Sequence, residues 1–122
     1  MISVERQEEI LEQFRNMEVR VNPDGSVDKR LVASHRWKEI KPVKSGASWY
    51  LRYTISGRKY DVPAGAVLLL WRLRRTVSEA LSVGYEDNNP DNLHPDNICL
   101  WNRADYFAWC ERRRAAVQGR DN

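Results

Sequence analysis

The sequence predicts an α+β fold: a β-hairpin followed by a buried helix, with a helix at each end. Three observations predict it. Residues 48–55 and 58–62 alternate apolar and polar side chains around Ser56-Gly57, the pattern of two strands joined by a two-residue turn. Residues 63–75, PAGAVLLLWRLRR, are too apolar for a helix with only one stripe in the core. Both ends carry a capping residue followed by apolar positions at helical spacing.

Taken in order, Ser3 is the N-cap of a helix over 3–17. Glu5, Glu8 and Glu9 lie near the positive end of its dipole, and Ile10, Leu11, Phe14 and Met17 form one stripe. Residues 1–20 thus form an N-terminal helix or arm, and 27–118 a single domain. NPDG (22–25) is a turn, because Pro presets φ and Gly accepts φ > 0. A short strand over 27–33 follows, then an irregular basic segment, SHRWKEIKPVKSGAS (34–48). In the hairpin, Trp49, Leu51, Tyr53 and Ile55 share one face, and Tyr50, Arg52 and Thr54 the other. Pro63 suits a first helical turn. Beyond it Val67, Leu68, Leu70, Trp71 and Leu73 make a wide apolar face, with Arg72 and Arg75 snorkelling outward. TVSEALS (76–82) is a turn or short helix, and SVGY (82–85) a short strand. The last helix, 102–118, is capped by Asn102 with Asp105 three residues on, and carries Tyr106, Trp109, Cys110 and Arg113 at helical spacing. Trp49, Trp71, Trp101 and Trp109 are expected in the core.

A chain of 122 residues fits one domain with a modest core. Mean hydropathy is −0.68, and no apolar run has bilayer-spanning length. The charged N-terminus lacks the order of a secretory signal. Cys99 and Cys110 form no CxxC pair and read as ordinary buried thiols, so a cytoplasmic location is the default expectation. The net charge is +3 and the pI about 9.0, a mild excess that leaves the partner open. The clustering says more, because WRLRR and ERRRAA concentrate arginine, whose planar fork suits phosphate.

EDNNPDNLHPDN (86–97) is the chemically richest stretch. Asn and Asp bond the backbone two residues ahead and Pro stiffens the chain, so a long self-bonded surface loop is the plain expectation. A calcium loop starting at Asp87 is excluded, because its sixth and twelfth places are Asn92 and Ile98 instead of Gly and Glu. His94 with Asp87, Asp91 or Asp96 has the donor types for a transition metal.

A hairpin ending in GRKYDV, an apolar helix, a strand SVGY, the Asn-rich loop and DNICLWNRADYF follow one another. Over roughly 47–107 this order resembles the phage and bacterial HNH endonucleases, with their V-D-H-I-D-G-N-P-x-N-N…N-L signature. Val83 matches the leading Val, Asp87, Asn89 and Pro90 match D-G-N-P, Asn92 the central Asn, and Asn97-Ile98 the closing pair. Trp101 and Arg103 match the tail. Gly84 stands where the metal-binding Asp belongs, and Tyr85 where the general-base His belongs. The resemblance implies a small ββα unit over about 82–110, of a kind built around one divalent metal and a phosphodiester. With Gly84 and Tyr85 it implies a degenerate domain that has lost the cut: glycine offers no ligand oxygen, and a phenol is protonated at neutral pH. No catalytic residue, metal or cofactor is then expected. Tyr85, Asn89, Asn92 and Asn97 become structural, and a phage origin is implied.

Three functions remain open. A non-catalytic binder would hold nucleic acid, DNA before RNA, through Arg36, Trp37, Lys38, Arg58, Lys59, Arg72, Arg74, Arg75, Arg112 and Arg113. The same Arg-and-aromatic surface would serve a phage accessory protein that inhibits a host protein or defence complex, or a homodimer. A working nuclease would need a relocated site at Asp87, His94 and Asp96.

Overall fold

The computed structural model describes residues 1–120; the side chains of Arg113 and of 115–120 lie outside the described residues. Helix α1 (Val4–Arg15) starts at Ser3, whose side chain accepts from the Arg6 amide. It buries Ile10, Leu11 and Phe14, while Met17 falls past its end with φ 56° and is exposed. Strands β1 (Val19–Val21), β2 (Val27–Arg30) and β3 (Trp37–Ile40) form an antiparallel sheet. The NPDG turn joins β1 to β2. Gly25 adopts φ +92° there, and a Cβ would collide with the Leu93 carbonyl, so this glycine also makes room for the later Asn-rich loop.

The segment 34–48, expected to be irregular, instead supplies β3 and β4 (Val43–Ser45). Its Lys and Arg residues hide the strand pattern because only Ile40 turns into the core there. Strands β4, β5 (Ser48–Ile55) and β6 (Arg58–Pro63) make a second antiparallel sheet. Its β5–β6 hairpin has the expected register, Ile55 opposite Arg58, and Ser56 and Gly57 both have positive φ, as a type I′ turn requires. Leu51 and Tyr53 are buried, and Trp49 and Ile55 pack at the core margin.

Helix α2 (Ala64–Leu73) has every residue from Ala64 to Leu70 buried. It runs under both sheets and under α1: Ile10, Leu11 and Phe14 share one core with Val21, Val27, Leu51, Val62, Leu68 and Ile98. The helix ends at Arg74, which takes a left-handed cap conformation and donates its amide to the Leu70 carbonyl. A turn over 76–81 leads to β7 (Ser82–Tyr85), paired antiparallel with β8 (Ile98–Trp101), with a single 3-10 turn, Pro95–Asn97, before β8. Helix α3 (Arg103–Arg120) closes the ββα unit. Asn102 accepts from the Asp105 amide at 2.8 Å and Asp105 accepts from the Asn102 amide at 3.3 Å, a reciprocal cap. Among its described side chains Trp109 is the buried one. Cys99 and Cys110 are half-buried free thiols, more accessible than expected. Among the described residues, no helix is long and apolar enough to cross a membrane.

Candidate functional site

The loop between β7 and β8 is bonded from within at nearly every polar residue. Asp87 accepts from the Asn89 amide at 2.8 Å and from the Asn92 side chain at 2.8 Å. These bonds, the Asn92 amide first, hold its carboxyl below the usual carboxylate range. Asn89 accepts from the Asp91 amide, and Asn92 from the His94 amide. Asn97 is the buried latch: its side chain accepts from the Asp87 amide at 2.9 Å and donates to the Asn92 carbonyl at 2.9 Å, and its own carbonyl accepts from the Glu86 amide. The ring Nδ1 of His94 accepts from the Asp96 amide at 3.2 Å, capping the 3-10 turn.

These bonds define what Asp87, His94 and Asp96 offer. Both Asp87 oxygens and the His94 Nδ1 already serve the loop, and the Asp96 carboxylate sits 3.8 Å from that nitrogen. Among the described residues, no group of three or more His, Cys, Asp or Glu is placed to hold a metal ion.

The strand positions that the resemblance marks for metal and base are occupied by aromatic packing. In the β7–β8 ladder Gly84 lies opposite Cys99, and Trp101 opposite Ser82. The Trp101 indole crosses the strand onto Gly84: a Cβ there would fall inside the van der Waals envelope of Cγ, Cδ2 and Cε2. Tyr85 is half-buried beside it, its ring edge-on to Trp101 at 6.2 Å and tilted on Trp109 at 6.3 Å. Burial, with the Asp91 charge second, raises its phenol above the ordinary value. A divalent ion therefore does not fit here. The oxygen donor is missing, its space holds carbon, and the neighbouring group keeps its proton.

The basic residues divide by what they touch. Arg72, expected to point outward, donates Nη1 to the Ile98 carbonyl at 2.8 Å and ties α2 to β8. Arg74 donates Nε to the Trp71 carbonyl and lays its guanidinium 3.8 Å over the Trp71 ring. Arg58 pairs with Glu9 at 3.2 Å, and Arg112 donates to Asn88 Oδ1 at 2.9 Å. Trp37 carries the Arg20 guanidinium 4.3 Å above its ring, so one of its faces is covered. Arg36, Lys38, Lys59 and Arg75 are exposed. Lys38 lies on β3 and Lys59 on β6, with Arg36 just before β3 and Arg75 two residues past α2.

Sequence reasoning missed the contacts that seat the loop on the rest of the molecule. Asp91 accepts from the Trp49 indole at 2.8 Å and pairs with Lys44 at 3.3 Å. Asn88 accepts from the Trp109 indole at 3.2 Å through its carbonyl. No local pattern links residues 42 positions apart. The only hint was an alternating face that ended in an indole, a donor that needs a partner when partly buried.

No family model matches the chain, and no curated protein matches it in sequence. A solved structure of the HNH homing endonuclease I-HmuI, which concerns DNA binding and cleavage by that enzyme, matches with a TM-score of 0.56 at 15% identity. The match covers 84% of this chain and 53% of that one, so the chain spans about half the length of the endonuclease. Three helices and antiparallel sheets around one apolar helix thus give this chain an α+β fold similar to that of an HNH endonuclease.

Proposed function

We propose that the protein binds nucleic acid, DNA before RNA, on an HNH-like fold and does not cut it. The observation that carries this reading is the Trp101 indole lying where a side chain at position 84 would stand, with the protonated Tyr85 phenol next to it. A phosphodiesterase of this kind needs a Lewis acid and a proton acceptor at these two positions. Support for the ligand comes from the likeness to a DNA-binding endonuclease and from the exposed cations Arg36, Lys38 and Lys59. Arg58, Arg72, Arg74, Arg75 and Arg112 contribute less, because their guanidinium groups already bond within the chain.

The test is a salt series of labelled-DNA shifts run beside plasmid incubation with Mg²⁺ or Mn²⁺. Binding that weakens as salt rises, with a slope of about 0.9 per phosphate neutralised, and intact plasmid are expected. Cleavage that disappears in His94→Ala would establish the relocated site instead. Absence of both shift and cleavage would leave a protein partner as the target.

A further inference from the structure

The end of the β2–β3 hairpin, KRLVASHRWK (29–38), carries Lys29, Arg30, Arg36 and Lys38 and no carboxylate. Lys29 lies directly opposite Lys38 in the ladder, and Arg30 opposite Trp37. On its other side Lys29 is opposite the buried Val19. Ladder partners share a face, so the two lysines extend the inner face of the sheet beyond Val21, Val27 and Ile40, which are buried. Arg30 and Trp37 take the outer face. Arg30, Arg36 and Lys38 are exposed, and Lys29 is half-buried. Val32, at the tip, keeps 86% of its surface in solvent.

Directly opposite lysines start roughly 5 Å apart, and like charges so placed destabilise a sheet. Among the described residues, none of the four cations forms an ion pair that would offset this. The carboxylates next in sequence, Asp28 and Glu39, lie opposite each other on the outer face. Asp28 already accepts from Arg20 and Asn22. The hairpin end therefore holds a repulsion that an external anion would turn into attraction.

A lone anion would satisfy the lysines and leave Arg30 and the tip unused. A duplex fits more of the hairpin. Its major groove admits a two-stranded ribbon, runs between two rows of phosphates and offers thymine methyls to an apolar tip. Cations on both faces of the ribbon would then meet phosphates on both sides. Resting on the nucleic-acid reading above, we infer that the β2–β3 hairpin enters the major groove of B-form DNA, with a backbone phosphate seated between Lys29 and Lys38. Such phosphate contacts fix position without reading sequence.

Fluorescence anisotropy compares the intact protein's affinity for a short DNA duplex, one of its strands and an RNA duplex of the same sequence. The DNA duplex is expected to bind tightest, because the A-form major groove is too narrow for side chains to enter. Lys29→Gln and Lys38→Gln should each lower the salt slope on the DNA duplex by about one. Arg15→Gln, an equal change of charge at an exposed residue of α1, should leave it unchanged. Lys38→Glu replaces repulsion with attraction, so its urea midpoint should rise above the wild-type value while its DNA affinity falls. The inference is overturned, and binding by diffuse charge left standing, by any of three results. They are a lysine variant that costs no more than Arg15→Gln, a single strand or RNA duplex bound as tightly as the DNA duplex, and a Lys38→Glu midpoint below wild type. No binding to any of the three ligands overturns the nucleic-acid reading as well.

Discussion

At position 84 a single methyl group would meet the indole of Trp101, and the cost of that collision is measurable. Gly84→Ala should destabilise the protein by about 1–3 kcal/mol, the range for overpacking, in urea unfolding followed by tryptophan fluorescence. For the same reason the double change Gly84→Asp with Tyr85→His should not restore metal-dependent cleavage: the ligand would arrive in space that the indole occupies. Tyr85 and Tyr53 add a pH dependence. Burial raises both phenols above their ordinary value. A raised folded-state value stabilises fully below the unfolded value, about 10. The stabilisation is lost as pH climbs through the folded value. Stability contributed by these groups should therefore be flat from neutral pH to about 10 and fall above it. Tyr53→Phe should shrink that alkaline decline, which a pH series of urea midpoints would record.

Among the elements, the β7–β8 loop and α3 hold each other in place. Asn97 stitches the loop to itself, and Asn88 holds Trp109 and Arg112 of α3. Asn97→Ala leaves the Asp87 amide and the Asn92 carbonyl without their partner and should cost about 1–3 kcal/mol, seen as a lower Tm and faster hydrogen exchange at the Asp87 amide. Trp109 is the main buried anchor of α3 among the described residues. Trp109→Ala is expected to loosen that helix, with early protease cuts after residue 102, while α1, α2 and the first two sheets keep their exchange protection. Gln7 does a similar service at the other end: fully buried, it accepts from the Val77 amide at 2.8 Å and donates to the Ile2 and Val77 carbonyls.

Across the whole molecule, one core is shared by α1, α2 and all three sheets. Removing residues 1–20 would strip Ile10, Leu11 and Phe14 from it and leave the Val77 amide unpaired. The shortened chain should lose cooperative urea unfolding and bind a hydrophobic dye. Charge acts at the same scale. The exposed cations Arg36, Lys38, Lys59 and Arg75 lie just before β3, on β3, on β6 and just past α2. Nucleic-acid affinity is therefore expected to respond to Arg36→Ala, Lys38→Ala and Lys59→Ala by small, additive steps in the salt slope.

Local chemistry by itself determined the elements whose signals are short in range. Ser56-Gly57 set the hairpin, the apolar run at 64–73 made the buried helix, Asn102 with Asp105 capped α3, and the Asn/Asp/Pro run bonded its own backbone, all within a few residues. The absence of a ligand oxygen at 84 was equally plain from the residue type. Tertiary structure alone decided what filled that absence, because the indole on Gly84 belongs to another strand. It also decided the fate of the basic residues. Arginine reads as a surface charge in any window of sequence, yet its fork bonds whichever carbonyl, carboxylate or ring the fold brings near, and Arg58, Arg72, Arg74 and Arg112 each found one. The strands at 37–40 and 43–45 escaped notice for the matching reason: with little of their surface buried, the ladder partners β2 and β5 impose the strand, and the side chains scarcely mark it.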